Sequence, residues 1–162
     1  MIYALFIGLV AGQVKVEPDT TTDPAFKTMS QLVGGNWVGT LGKMNIKFTF
    51  TFKEVGHLLE GEGTLKQADK VILNMDSKYG WDPAAKQTYY LDCHGYNTVY
   101  NGHITQKGEK LIVDFVGLIG DKGHWISYIE FPTKDTYKFD MFEVKKGKLV
   151  PTHMGVTLHR QA

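Results

Sequence analysis

The stretch Gln31-Leu32-Val33-Gly34-Gly35-Asn36-Trp37-Val38-Gly39-Thr40 marks a change in the periodicity of the chain. Before it, apolar residues follow a helical spacing, and after it they alternate with polar residues as in a β-strand. Gly34 and Gly35 favour a helix end, because glycine tolerates the left-handed backbone conformation that stops a helix. The segment therefore predicts a junction between one helix and the first strand of a sheet, with Trp37 at the floor of a closed barrel.

A short amphipathic helix is predicted immediately before this junction. Asp23 can accept hydrogen bonds from free backbone N–H groups, and Pro24 fits the first helical turn. An apolar stripe follows at helical spacing, formed by Phe26, Met29, Leu32 and Val33. A single helix of this kind must cover an apolar surface, and we expect it to plug one end of a barrel.

After Asn36 the sequence predicts only strands and turns. In the clearest strand, polar residues alternate with Met44, Ile46, Phe48, Phe50 and Phe52, which is typical of a sheet that is buried on one face. Further strands are predicted at 58–65, 71–75, 88–94, 98–104, 111–118, 124–131, 136–144 and 150–160. The segments between them are short and contain turn-forming residues, and Gly80-Trp81-Asp82-Pro83 is predicted as one of these turns.

These elements favour an all-β fold: a lipocalin-like antiparallel up-and-down β-barrel of about nine or ten strands, with one N-terminal capping helix. Strands joined by hairpins, without crossover helices, form a meander, and a meander removes its unpaired edges by closing on itself. A barrel of this size has room for a small ligand among its interior side chains. A β-sandwich is the alternative architecture that the same pattern allows.

The composition excludes several classes of function. The 162 residues carry a formal net charge of +1 at pH 7 and include a single arginine, Arg160, so the chain predicts no nucleic-acid surface. Cys93 is the only cysteine, which rules out an internal disulfide and a zinc site built from cysteines. We expect this thiol to be a small buried residue, as free cysteines commonly are.

Residues 1–22 are predicted to form a leader and linker, and residues 23–162 a single β-barrel domain. The apolar run at 2–10 is too short for a stable membrane span, which needs about 20 residues. It suits the apolar segment of a secretion signal, and this interpretation predicts an exported or periplasmic protein. No basic residue precedes the run, so a strand-forming leader on a cytoplasmic protein is the alternative.

A series of short motifs runs along the predicted barrel. They are Leu32-Val33-Gly34-Gly35-Asn36-Trp37, Gly80-Trp81-Asp82-Pro83, Tyr100-Asn101-Gly102-His103-Ile104, Tyr128-Ile129-Glu130-Phe131 and Thr157-Leu158-His159-Arg160. In order and spacing the series resembles the bacterial family catalogued as domain of unknown function 1579. The resemblance covers roughly residues 26–160 and implies a lipocalin-like barrel with an N-terminal helix. It implies no activity, because that family is itself uncharacterised.

The wider barrel superfamily implies one structural contact, in which a Trp near the start of the first strand is packed by a basic residue of the last strand. In this sequence the two residues are Trp37 and Arg160. The residue pattern supports the contact independently, because Arg160 shares an apolar face with Val156 and Leu158. A guanidinium in that position favours an aromatic ring and carbonyl acceptors, so both residues are predicted to be structural.

Two predicted strands have a polar face and an apolar face, and either face can be interior. The polar faces consist of Tyr90, Asp92 and His94 on one strand and of His124, Tyr128 and Glu130 on the other. If these faces are interior, they form a polar wall for ligand binding, or for catalysis by Asp92, His94 or Glu130. The alternative is more apolar and is favoured; it buries Tyr89, Leu91, Cys93, Trp125, Ile129 and Phe131 instead.

Apolar side chains that share a predicted face make ligand binding the leading hypothesis. They include Phe48, Phe50, Phe52, Tyr137, Phe139 and Met141. The expected ligand is a small apolar or amphipathic molecule, and the hypothesis needs a cavity of roughly 300 Å³ or more. An enzyme of the isomerase or hydrolase type is a second hypothesis. A structural protein in which two barrels pair is a third, and either a monomer or a homodimer is expected.

Six histidines raise the question of a metal ion or a haem. None of them has a metal-binding spacing such as His-Glu-x-x-His, so no metal site is predicted, although His94 and His103 are expected to approach each other across a turn. Some related barrels bind haem through a single barrel histidine, and His153 or His159 would be that residue here. Gly61-Glu62-Gly63 lies within a strand pattern that no helix follows, so a phosphate cradle is not predicted there.

Overall fold

The structure is a computed structural model that describes residues 23–41, 46–95 and 97–161. The predicted leader and linker at 1–22 lie outside the described residues, as does Met44 of the predicted alternating strand. In the part of the chain that is described, no helix is both long enough and apolar enough to cross a membrane. That part forms one closed sheet with a short helix at its start.

The elements follow the order that the sequence predicts. Helix α1 spans Pro24–Met29 and continues as a 3-10 turn over Ser30–Leu32. Ten strands follow: β1 Asn36–Leu41, β2 Ile46–Val55, β3 Leu58–Gln67, β4 Lys70–Asp82, β5 Gln87–His94, β6 Thr98–Lys107, β7 Lys110–Ile119, β8 His124–Thr133, β9 Thr136–Lys145 and β10 Lys148–Gln161.

The ten strands form a closed antiparallel barrel, which confirms the predicted fold class and excludes the β-sandwich. Each strand pairs with its neighbours in sequence, and β1 completes the ring by pairing with both β2 and β10. Trp37 on β1 lies opposite Phe50 on β2 and opposite Arg160 on β10. Closure satisfies the backbone hydrogen-bonding groups that an open sheet would leave free at its edges.

Strand β4 is longer than the sequence predicts, and the turn predicted at Gly80-Trp81-Asp82-Pro83 is wrong. The strand runs through Gly80 and Trp81 to Asp82, and all three pair with β5. The turn begins only at Pro83, which has no N–H to donate to the ladder. The carboxylate of Asp82 then accepts hydrogen bonds from the N–H groups of Ala84 and Ala85, at 2.8 and 3.2 Å.

Helix α1 covers one end of the barrel, as the sequence predicts. It contacts β4 and β6 and buries Ala25, Phe26 and Met29. Gly34 and Gly35 end the helical segment with φ angles of 84° and 73°, in the left-handed region that favours glycine. Phe26, Met29 and Leu32 of the predicted stripe are thus buried at the floor of the barrel, whereas Val33, predicted as its fourth member, is exposed.

The predicted N-terminal cap of this helix is wrong. The Asp23 side chain makes no capping hydrogen bond to the helix. Its carboxylate instead accepts a hydrogen bond of 2.6 Å from the hydroxyl of Thr88, a fully buried residue of β5. A buried hydroxyl needs a partner, and Asp23 supplies one by joining the start of the helix to the sheet.

Trp37 and Arg160 make the contact that the sequence predicts. The guanidinium carbon of Arg160 lies 4.5 Å from the centre of the fully buried Trp37 ring. The guanidinium donates hydrogen bonds of 2.5–2.8 Å to the backbone carbonyl groups of Gln31, Val33 and Gly34. These carbonyl groups lie at the end of the helical segment, where the helix supplies no donors of its own. The last strand is thereby attached to the segment between helix and sheet.

Candidate functional site

The interior of the barrel contains a cavity of about 250 Å³. It extends from Phe52 and Tyr137, close to the helix end, to His94 and Asp121 at the opposite end of the barrel. This volume is below the roughly 300 Å³ that the ligand-binding hypothesis sets as its lower bound. The expectation of a cavity of roughly 300 Å³ or more is therefore wrong, and a ligand of this cavity must be smaller than the typical drug-sized molecule.

Most of the cavity wall is apolar. The rings of Phe48, Phe50 and Phe52 stack along β2, with centroids 6.3 and 6.0 Å apart. Phe139 of β9 meets the edge of Phe48 at 6.2 Å. Three predicted ligand-binding residues, Phe48, Phe50 and Phe139, thus lie in the wall. Apolar surface of this kind binds a ligand by removing it from water.

Gly61 and Gly63 of β3 make room for two of these rings. Phe52 lies opposite Gly61, and Phe50 lies opposite Gly63, across the β2–β3 pair. A Cβ atom on Gly63 would lie 2.4 Å from Cε1 of Phe50, and one on Gly61 would lie 2.5 Å from Cε1 of Phe52. The Gly-Glu-Gly motif therefore serves the packing of the aromatic wall, because a side chain at either glycine would displace a ring into the cavity.

A buried polar cluster interrupts the apolar wall, and Asp92 of β5 is its centre. Asp92 is only 5% exposed. Its Oδ1 accepts a hydrogen bond of 2.9 Å from Ser77, and its Oδ2 accepts one of 2.6 Å from the hydroxyl of Tyr90. Nε2 of His94 lies 2.7 Å from the same Oδ2, and in the tautomer protonated there it donates a third hydrogen bond. These partners allow a carboxylate to be buried, because each offsets part of its lost hydration.

The register of β4 and β5 places this cluster inside. Asp92 pairs with Ser77, Tyr90 with Tyr79, and His94 with Met75, and all six side chains line the cavity. The favoured expectation that Tyr89, Leu91 and Cys93 face inward is wrong. Tyr89 and Leu91 are 44% and 39% exposed, and Cys93 is only partly buried. The hydrogen bonds to Asp92 outweigh the small gain in buried apolar area on the other face.

The register of β8 gives the opposite result. Trp125, Ser127 and Ile129 line the cavity, as the apolar alternative predicts for Trp125 and Ile129. The polar face lies outside the barrel, where its predicted ligand-binding residues make surface contacts. His124 contacts Asp114 at 2.7 Å, Glu130 contacts Lys110 at 2.5 Å, and the Tyr128 ring packs on Phe142. The polar faces of the two strands are therefore not brought together, and Glu130 is separated from Asp92 and His94.

The tyrosines of the cavity remain hydrogen-bond donors over a wide pH range. Burial raises the pKa of Tyr79, Tyr90 and Tyr137 well above the usual value near 10, and the negative charge of Asp92 raises the pKa of each further. At the end of the cavity near Asp121, burial and the Asp121 carboxylate raise the pKa of Tyr100 to about 12. These hydroxyl groups therefore stay neutral at physiological pH.

Several wall residues are absent from the candidates that the sequence suggests. They are Ser77, Tyr79, Tyr100, Asp121 and Trp125. Ser77 and Tyr79 were missed because strand β4 was predicted to end at Met75, although Met75, Ser77, Tyr79 and Trp81 continue an alternation of period two. Asp121 falls in a predicted turn, and only the closed barrel brings it near Tyr100, whose hydroxyl lies 3.4 Å from its carboxylate.

His94 is the only histidine in the described wall of the cavity. His153 and His159 are exposed, while Met154, Val156 and Leu158 are the inward or buried residues of β10. Neither histidine therefore lines the described cavity. The expected approach of His94 to His103 is also wrong, because His94 pairs with Thr98 and His103 pairs with Tyr89 farther along the strands. Among the described residues, no three His, Cys, Asp or Glu side chains converge on a potential metal site.

The fold and the cavity define a closed ten-stranded antiparallel β-barrel with a mostly apolar interior. A crystal structure of Rv2717c from M. tuberculosis is similar to it, with a TM-score of 0.58 and 16% sequence identity. The similarity covers 88% of this chain and 100% of the other, and at this identity it supports the fold alone. No model of a known protein family and no curated protein matches the chain.

Proposed function

We propose that this protein binds a small amphipathic molecule inside the barrel. The apolar body of the ligand lies along Phe48, Phe50 and Phe139, and its polar group lies toward Asp92 and His94. The observation that carries the proposal is an apolar cavity whose described wall includes a buried cluster of hydrogen-bonding groups around Asp92. This combination is typical of small-molecule sites, in which a few polar groups orient a ligand that apolar contacts hold.

Opposite faces of strand β9 offer a matched test. Met141 lines the cavity, whereas Lys138 has the opposite parity and forms an ion pair with Asp140. N-phenyl-1-naphthylamine, an uncharged apolar fluorophore, serves as the reporter ligand. Met141→Trp fills part of the cavity and is expected to weaken binding of the fluorophore at least about tenfold. Lys138→Trp adds the same side chain outside the barrel and is expected to change the affinity less than about twofold.

Fluorescence titration measures both affinities, and circular dichroism checks that both variants are folded. Equal affinities of folded Met141→Trp and wild-type protein would place the bound fluorophore outside the cavity and contradict the proposal. Weakening in both variants alike would also count against it, because the Lys138 position does not contact the interior.

Acid–base catalysis is the second candidate function, and the Asp92–His94 pair is the observation that favours it. Two of the three catalytic candidates, Asp92 and His94, lie 2.7 Å apart in one cavity. Asp92 binds Nε2 of the His94 imidazole, and the second ring nitrogen, Nδ1, can then accept or donate a proton. Hydrolysis of small nitrophenyl esters tests the hydrolase version of this proposal. A rate that is the same in His94→Gln as in the wild-type protein would argue against it.

Three further proposals concern the context of the barrel. Residues 1–22 direct export, the protein is a monomer or homodimer, and the chain belongs to the bacterial family catalogued as domain of unknown function 1579. The apolar run at 2–10 supports the first of these proposals. Cell fractionation with mass spectrometry of the mature N-terminus tests export, and light scattering tests the oligomeric state.

A further inference from the structure

The charge of the cavity wall has one sign among the described residues. Two carboxylates, Asp92 and Asp121, line the cavity, and the described wall contains neither Lys nor Arg. Several lysines form ion pairs with carboxylates that do not line the cavity. Examples are Lys78, Lys110 and Lys138. A charged ligand in the cavity therefore meets negative charge, with the imidazole of His94 as the only basic group in the described wall.

Asp92 has capacity for one more hydrogen bond. Each oxygen of a carboxylate can accept two hydrogen bonds. Among the described residues, Oδ2 has two partners, Tyr90 and His94, whereas Oδ1 has one partner, Ser77. The remaining acceptor position suits a donor on the ligand, and an ammonium group there would form a charge-assisted hydrogen bond.

Aromatic rings surround this part of the cavity. The rings of Tyr79 and Tyr90 lie 5.5 Å apart, those of Tyr90 and Phe115 5.3 Å apart, and those of Phe115 and Tyr100 5.6 Å apart. All four side chains line the cavity. The face of an aromatic ring carries partial negative charge and attracts cations, so these rings favour the same sign of ligand as Asp92 does.

We infer that the cavity selects amphipathic amines over carboxylic acids of the same carbon skeleton, with the ammonium group at Asp92. This inference rests on the proposed function, since it specifies the polar group of the ligand that the cavity binds. Burying an ammonium group costs hydration, but Asp92 is already buried and its charge offsets that cost. A ligand carboxylate has the same desolvation cost and meets like charge, with no Lys or Arg in the described wall to compensate.

Three ligands that share one skeleton test the inference: 3-phenylpropylamine, 3-phenylpropanol and 3-phenylpropanoate. Isothermal titration calorimetry at neutral pH gives their dissociation constants. We expect the amine to bind at least about tenfold more tightly than the carboxylate, with the alcohol between them. A ratio below tenfold, or tighter binding of the carboxylate, overturns the inference.

Variants locate the charge that is responsible. Asp92→Asn is expected to bring the ratio of amine to carboxylate affinity below about tenfold while changing the alcohol affinity less than about threefold. Asp114→Asn is the matched control, because Asp114 forms a similar pair with His124 at 2.7 Å outside the cavity. It is expected to leave all three affinities unchanged. A ratio that persists in folded Asp92→Asn overturns the assignment of the ammonium site to Asp92.

Two further experiments distinguish failure of this inference from failure of the proposed binding function. If Asp92→Asn does not fold, Asp121→Asn removes the other carboxylate of the described wall, and loss of selectivity in that variant overturns the assignment to Asp92. If none of the three ligands binds to the wild-type protein, and neither does the uncharged fluorophore, the proposed binding function fails. Binding of the alcohol without preference for the amine leaves the proposed function standing and overturns this inference alone.

Discussion

Trp37 contacts three parts of the fold at once. Its Nε1 donates a hydrogen bond of 2.8 Å to the carbonyl group of Leu32, at the end of the 3-10 turn. Its ring lies under the guanidinium of Arg160 from β10 and packs edge-to-face on Tyr137 of β9, with ring centroids 6.2 Å apart. A residue that joins helix, first strand and last strands in this way contributes to closure of the barrel as well as to burial of apolar area.

Trp37→Ala is expected to lower the free energy of unfolding by roughly 3–5 kcal/mol, because it leaves a cavity and removes the partners of Arg160 and Leu32. Denaturant unfolding measures the loss. Tyr89→Ala is the control, since Tyr89 is an aromatic residue of β5 that is 44% exposed, and its truncation is expected to cost much less. A small loss in a folded Trp37→Ala protein would contradict the structural role of the contact.

Asp92 shows a different property of single residues, because its position depends on its neighbours. A buried carboxylate is unfavourable by itself, and hydrophobicity alone would direct it outward. Three partners that converge on it reverse that preference. Two of these partners, Tyr90 and His94, lie on the same strand as Asp92. The third, Ser77, lies on β4, so the sequence of β5 alone does not reveal its hydrogen bond to Asp92.

At the scale of elements, the β2–β3 pair determines the shape of the aromatic wall. Large rings on β2 lie opposite glycines on β3, so each ring occupies the space that a side chain on β3 would otherwise fill. The sequence shows both patterns separately, as alternating phenylalanines and as a Gly-x-Gly motif. Their register, which sets which ring meets which glycine, follows from the Gly56-His57 turn that joins the strands.

Gly63→Ala is expected to destabilise the protein by about 1–3 kcal/mol and to narrow the cavity. The new Cβ would lie 2.4 Å from Cε1 of Phe50 and 3.0 Å from Cε of Met75, so that the ring must move into the interior. Gly80→Ala is the control, because the nearest atom to a Cβ there belongs to Leu58 at 3.8 Å. Denaturant unfolding and titration with the uncharged fluorophore measure the two effects. Equal stability and affinity in the two variants would contradict the proposed role of Gly63.

At the scale of the whole molecule, the closed barrel removes tyrosine hydroxyl groups from water. Tyr79, Tyr90 and Tyr137 are all at least 92% buried, with exposures of 7%, 8% and 8%. Tyr79 and Tyr90 are paired neighbours on β4 and β5, and closure of the sheet brings Tyr137 of β9 to the same cavity. Burial raises their pKa values, so the folded protein keeps these three protons at pH values where the unfolded chain releases them.

This difference predicts loss of stability at alkaline pH. Above a pH of about 10 the unfolded state binds fewer protons than the folded state, so the free energy of unfolding falls as the pH rises. Each buried tyrosine contributes a slope of up to about 1.4 kcal/mol per pH unit. Denaturant unfolding at a series of pH values above about 10 measures how steeply the free energy of unfolding falls. Tyr137→Phe removes one of the three titrating hydroxyl groups, so its slope is expected to be smaller by up to about 1.4 kcal/mol per pH unit. An unchanged slope in that variant would contradict the assignment.

The sequence by itself determined the succession of elements and the class of fold. The helical spacing before Gly34, the alternation after Asn36 and the short turns are local patterns. Strands joined by hairpins favour a closed barrel, because closure pairs the two edge strands. The contact between Trp37 and Arg160 was implied by the resemblance to the wider barrel superfamily, and the pattern of β10 supported it, because a guanidinium on an apolar face favours an aromatic ring and carbonyl acceptors.

Only the tertiary structure decided which faces of β5 and β8 are interior, and therefore which residues form the candidate site. An alternation of period two identifies two faces of a strand without stating which one is buried. Ser77 of β4 pairs with Asp92 and makes the polar face of β5 interior, whereas Trp125 and Ile129 make the apolar face of β8 interior. The orientation of each strand depends on the strands that flank it, and that information is not contained in either segment alone.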